Sequence, residues 1–94
     1  MNGREKRQTE AQITENVLRE DVHTLWLIND DFNTFDFVVD SLMELCGHSY
    51  VQAMQCTFIT HNQGKCDILK GAYLKLEMIA LTMLNRGLTV TITE

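Results

Sequence analysis

The stretch WLINDDFNTFDFVVDSL, Trp26 to Leu42, decides the fold, because it passes from a strand through a turn into a helix within seventeen residues. VHTLWLI, residues 22–28, is a short apolar run rich in strand formers, ended by Asn29, Asp30 and Asp31. Asn33 is a good N-cap, and Asp36 three residues on is close to a capping box and favours the positive end of the helix dipole. Phe35, Val38, Val39, Leu42, Met43 and Cys46 then recur at helical spacing as one apolar stripe before Gly47.

Further along the chain the same two periods alternate. Ser49 with Gln52 three residues later is a second helix start, and Tyr50, Met54, Thr57, Phe58 and His61 share the predicted face of a helix that HNQG ends at Gly64. In KCDILK, Cys66 and Ile68 alternate with Lys65 and Asp67, as in a half-buried strand. From Ala72, Leu76, Ile79, Ala80, Met83 and Leu84 repeat with helical period up to Gly87, and LTVTIT alternates Leu88, Val90 and Ile92 with threonines. The predicted order is βααβαβ: an α+β domain of two layers, three helices against a small three-stranded antiparallel sheet. With 94 residues there is interior for one domain only. Residues 1–20 carry Ile13, Val17 and Leu18 as their only sizeable apolar side chains, so they are expected to form a flexible extension, with the domain spanning residues 21–94.

Charge narrows the function classes. Residues 1–20 hold four basic and four acidic side chains, so the net charge of -5 belongs to the remainder. Between Arg19 and Lys65 there is no Lys or Arg, while Asp21, Asp30, Asp31, Asp36, Asp40 and Glu44 fall in that gap. A nucleic-acid surface needs the opposite sign, so a charged ligand of this region would be cationic; a solvated acidic face accounts for the charge equally well. No apolar run approaches the roughly 20 residues of a membrane-spanning helix, and MNGREKRQTE has no apolar signal core, so a cytoplasmic location away from the membrane is expected. Cys46, Cys56 and Cys66 form no CxxC pair and are read as reduced thiols packed like small hydrophobes.

Three readings compete for the acceptors at the end of the first strand. Asn and Asp cap turns by bonding their own backbone, which needs no ligand. A metal site is disfavoured: DDFNTFDF misses the calcium-loop spacing, and His23, His48 and His61 lack the pairing of a zinc site. An organic ammonium, which has only donors to offer, is best held by an amide oxygen, a carboxylate and a neutral imidazole nitrogen. Asn29, Asp30 and His61 are such a set if the second helix returns His61 beside the strand end.

LINDDFNTFDFVVDSL followed by THNQG resembles the Clp protease adaptor family, ClpS, whose members carry an NDD-(F/Y)-(T/N)-x-x-x-F-V segment and a later V-H-x-x-G segment at matching separation. The resemblance is close over residues 23–64 and continues weakly to the last strand. It implies a monomeric adaptor, not an enzyme and without a cofactor. Such an adaptor binds N-degrons, meaning a free α-amino group on a large hydrophobic first residue, and delivers the protein to a ClpA- or ClpC-type AAA+ unfoldase. By the same resemblance Asn29, Asp30 and His61 read the amino group, Asp31 supports them, and Phe35, Val38, Thr57, Thr60 and Leu88 wall the side-chain pocket. In the family the third helix contributes to the unfoldase contact, for which Lys75 and Glu77 are the candidates here, with solvated surface charges as the alternative reading.

The chain departs from the family pattern in places. Asn33-Thr34 replaces Thr-Pro, Thr60 replaces the usual Val, and Thr57 stands where a larger apolar residue is common, which makes the pocket wall smaller or more polar. CDILKGAYLKLE lacks the family's A-x-C-G segment, and the third helix reads as shorter. The alternative from another class is a structural interaction domain that docks a chaperone without reading N-termini. A hydrolase using Cys46 or Cys56 with His61 ranks third, because both cysteines belong to helical stripes and no oxyanion loop is apparent.

Overall fold

A computed structural model of the chain describes residues 22–94; the extension expected over residues 1–20 lies outside the described residues. The elements run β1 (Val22–Ile28), α1 (Phe35–Cys46), α2 (Tyr50–Gln63), β2 (Lys65–Ala72), α3 (Tyr73–Asn85) and β3 (Thr89–Thr93), the expected βααβαβ order. The sheet is antiparallel with strand order β2-β1-β3, so the most apolar strand takes the centre. Register explains its inward face. Leu27 lies between Cys66 and Val90, and Leu25 between Leu69 and Ile92, which gives two apolar rows across the sheet. Leu42 from α1, Ala53 and Cys56 from α2, and Leu76 and Met83 from α3 close over these rows to form the core. Each fully buried Leu or Met contributes roughly 1.5–3 kcal/mol. On the other sheet face Trp26 donates its ring N–H to Thr93 Oγ1 at 2.7 Å, and Lys65 Nζ sits 4.6 Å from the centre of the Trp26 ring.

β2 is longer than KCDILK suggests and carries a bulge. Its partners on β1 step from Leu69 opposite Leu25 to Asp67 opposite Trp26, leaving Ile68 as the extra residue. The Ile68 carbonyl accepts from Nε2 of the buried His48 at 2.8 Å. That bond requires the proton on Nε2 and leaves Nδ1 buried without a partner. His48 is therefore a structural residue tying the α1–α2 connection to the bulge.

Two helix assignments differ from the sequence reading. The N-cap of α1 is Thr34, whose hydroxyl accepts from Phe37 N–H at 3.2 Å. Asn33 is diverted because its side-chain amide is held by Asp30 and by the Gly87 carbonyl. Ser49 caps α2 as expected, accepting from Gln52 N–H at 3.1 Å. The buried face of α2, however, is Ala53, Cys56, Thr57 and Thr60, while Tyr50, Met54, Phe58 and His61 lie exposed. The small residues win because α2 packs closely on α1 and β2, and only side chains the size of Ala, Cys and Thr fit that approach. Met43 and Phe35 of the α1 stripe and Leu84 of the α3 stripe are likewise exposed. Cys56 and Cys66 are buried and Cys46 half-buried. Burial pushes the Cys46 thiol up to about 11 and the Cys66 thiol to about 12, which keeps both protonated and weakly nucleophilic.

The cap assignment yields a direct expectation. Thr34→Ala should lower stability by about 0.5–2 kcal/mol, the usual cost of losing a side-chain N-cap, read by urea denaturation. If Thr34→Ala leaves the denaturation midpoint unchanged, the cap is not at Thr34.

Candidate binding site

The site begins where β1 stops. Asn29 N–H donates to the Gly64 carbonyl at 2.9 Å, and Gly64, at φ 96°, closes α2 by donating its own N–H to Thr60 O at 2.9 Å. A left-handed residue is needed to turn the chain from α2 straight into β2, which is why glycine stands there. This stitch puts the end of the central strand and the last turn of α2, with His61, on one rim.

The turn after β1 is organised by Asp30. Its Oδ1 accepts from the N–H groups of Phe32 and Asn33, both at 2.9 Å, and its Oδ2 accepts from Asn33 Nδ2 at 2.8 Å. Asn33 Nδ2 also donates to Gly87 O at 2.9 Å, fastening the turn to the loop between α3 and β3. Burial alone would push the Asp30 carboxyl up; the bonds from the Asn33 backbone and side chain and from Phe32 outweigh it, and the carboxyl lies below its ordinary value. The turn-capping role of Asp30 is thus real, and it leaves acceptor capacity on Oδ2.

Around this rim lies a cavity of about 370 Å³, lined by Leu27, Ile28, Asn29, Asp30, Asp31, Asn33, Phe35, Val38, Thr57, Thr60 and His61. Asn29, Asp31 and His61 are exposed, and their side chains make no hydrogen bond to other described residues, so their acceptors are available. Among the described residues the lining contains two carboxylates and no Lys or Arg. Leu27, Ile28, Phe35 and Val38 supply the apolar part. The two threonines are less polar in place than their composition suggests. Thr57 donates its hydroxyl to Ala53 O at 2.7 Å and Thr60 to Cys56 O at 2.8 Å, so both hydroxyl protons are spent on the α2 backbone.

Of the residues implied for the pocket, Leu88 is placed otherwise. It does not line the cavity and is 2% exposed, within the core just before β3. Lys75 and Glu77 sit in the first two turns of α3, apart from the cavity; Glu77 accepts from the Tyr73 hydroxyl, which pushes that hydroxyl's pKa up. Sequence reasoning missed Leu27 and Ile28 as wall and Asn33 as the tie. The Asp30-to-Asn33 spacing, which suits a side chain bonding the backbone three residues on, was the available signal for the last.

Residues 18–91 match the family model for the ATP-dependent Clp protease adaptor protein ClpS. The chain belongs to the ClpS family. It is a Clp protease adaptor by that membership, a class that works through a Clp chaperone and its substrates. Among solved structures it is similar to Agrobacterium tumefaciens ClpS2 bound to L-phenylalaninamide, at 20% sequence identity and a TM-score of 0.75, over 79% of this chain and 96% of that one. At that identity the likeness is one of fold, and it extends the ClpS architecture over nearly the whole of the neighbour. No curated protein sequence matches the chain. Among the described residues no helix is long and apolar enough to cross a membrane.

Proposed function

We propose that this chain binds the exposed N-terminus of a protein, taking its free α-amino group on Asn29, Asp30 and His61 and its large hydrophobic first side chain in the cavity, and delivers that protein to a Clp AAA+ unfoldase. The observation that carries the reading is a rim of hydrogen-bond acceptors, free of cationic side chains among the described residues, over a cavity walled by Leu27, Ile28, Phe35 and Val38. An α-ammonium offers donors and no acceptor, and the side chain beside it is apolar, so the ligand has the same two halves as the site. L-phenylalaninamide, the ligand of the Agrobacterium neighbour, is a free amine next to an aromatic side chain and fits that description. Asn29 Oδ1, the remaining capacity of Asp30 Oδ2 and an unprotonated His61 nitrogen are the acceptors, and Asp31 adds negative field. Lys75 and Glu77 on α3 are the proposed unfoldase-facing positions, and the adaptor acts as a cytoplasmic monomer.

The experiment compares a fluorescent Phe-initiated peptide with its N-acetylated twin. Acetylation removes the charge and two donors, and binding should fall beyond detection. His61→Ala should weaken binding of the free peptide by about 1.5–3 kcal/mol, the range for a hydrogen bond to a charged group, with folding intact because His61 is exposed. Equal affinity for the two peptides would overturn the reading and favour a domain that docks a chaperone without reading N-termini.

A further inference from the structure

Phenylalanine is a residue that cores normally absorb, yet all four in this chain stand at the surface: Phe32, Phe35, Phe37 and Phe58 are 93%, 40%, 38% and 63% exposed. Two of them line a second hollow of about 330 Å³ along the outer side of α2, formed by Phe35, Met54, Gln55, Phe58 and Ile59. Phe35 belongs to both hollows, so the groove continues directly from the cavity at the end of β1. Contiguous exposed apolar surface of this kind on a small domain marks a place where another molecule sits.

We infer that the groove beside Phe35 is a second specificity subsite, which receives an apolar side chain at the third residue of the bound N-terminal segment. The inference rests on the proposed reading of the cavity as the site of the first residue. With the amino group fixed at the acidic rim, the peptide is pinned at one end and its polarity is set. In an extended chain successive side chains point to opposite sides, so residues one and three face the protein together, about 6.6–6.8 Å apart, while residue two faces solvent. Two side chains packed on opposite faces of one ring, each about 3.5 Å from it, stand about 7 Å apart, and Phe35 is the wall the cavity and the groove share. Gln55, the one polar residue in the groove, offers an amide to the peptide backbone there. The occupant is therefore the substrate itself rather than a separate partner, and the substrate class narrows to N-termini with a hydrophobic first and a hydrophobic third residue.

The test uses the intact chain and four labelled peptides with a free amine and Phe first: Gly-Gly, Gly-Leu, Leu-Gly and Gly-Asp at the second and third positions. Leu at the third position should tighten binding roughly tenfold over Gly, the gain from partly burying one such side chain. Leu at the second position should have little effect, and Asp at the third should weaken binding beside an acidic rim. Phe58→Ser should erase the gain from Leu while leaving the Gly-Gly peptide unchanged; Met54→Ser, the second variant, should reduce it. Circular dichroism checks that both variants are folded. Equal affinity for Gly and Leu at the third position, a gain confined to the second position, or a gain that survives both variants would overturn the subsite while leaving the reading of the cavity intact. Failure of every free-amine peptide to bind would overturn both.

Discussion

Asp30→Asn is expected to lose affinity for a Phe-initiated peptide by about 1.5–3 kcal/mol and to lose stability as well, by about 1 kcal/mol or more. The binding loss follows from removing the charge that faces the ammonium. The stability loss follows from the turn. Asn33 Nδ2 donates to Asp30 Oδ2 and to Gly87 O at once, so an amide NH2 placed at the Oδ2 position meets a donor. Flipping the Asn33 amide to present its oxygen would set that oxygen against the Gly87 carbonyl, and neither orientation satisfies both neighbours. The wild-type carboxyl also titrates below its ordinary value, so its contribution is present above the unfolded pKa near 4 and is lost as pH falls through the lower folded value. Asp30→Asn should lack that acid-side loss. Peptide titration and urea denaturation on one preparation decide the matter. A stability loss with unchanged affinity would make Asp30 a turn anchor only, and an affinity loss with unchanged stability would show that its hydrogen bonds to the turn contribute little.

The larger expected effect concerns delivery. Deleting Met1 to Glu20 should leave peptide affinity unchanged, because every described residue lining the cavity falls from Leu27 to His61 and the first described strand begins at Val22. The same deletion should abolish or strongly reduce degradation of a model N-degron protein by the cognate Clp unfoldase and peptidase. The resemblance to the family implies that an N-terminal extension engages the unfoldase; the family match here starts at residue 18, and the segment before it carries mixed charge with few large apolar residues. Degradation rates equal with and without the segment would remove it from delivery. Loss of peptide binding on truncation would mean that residues 1–20 contribute to the cavity and that the boundary near residue 21 is misplaced.

Local sequence was sufficient for the elements. The apolar run around Leu25, the period-2 runs around Cys66 and Val90, the helical stripes through Val39 and Leu76, the Ser49 cap and the glycines at 47, 64 and 87 all act within a few residues, and the observed order follows them. The acceptor cluster was legible for the same reason: Asn29, Asp30 and Asp31 are adjacent in the chain, and His61 falls in the last turn of a helix whose end Gly64 announces. Long-range packing decided the rest. Which face of α2 is buried depends on how closely α1 and β2 approach it, and that selected Ala53, Cys56 and Thr60 over the larger Tyr50, Met54 and Phe58. The bulge at Ile68, the His48 tie and the diversion of Asn33 from capping to Gly87 join residues 20 to 54 positions apart, beyond any local pattern. What the sequence determined by itself was a strand, a turn of acceptors and a helix, in that order. That the acceptors of the turn share a rim with His61, over a wall that includes Thr57 and Thr60 with their hydroxyl protons spent on their own helix, required the hydrogen bond from Asn29 to Gly64, which exists only once β1 and β2 have paired.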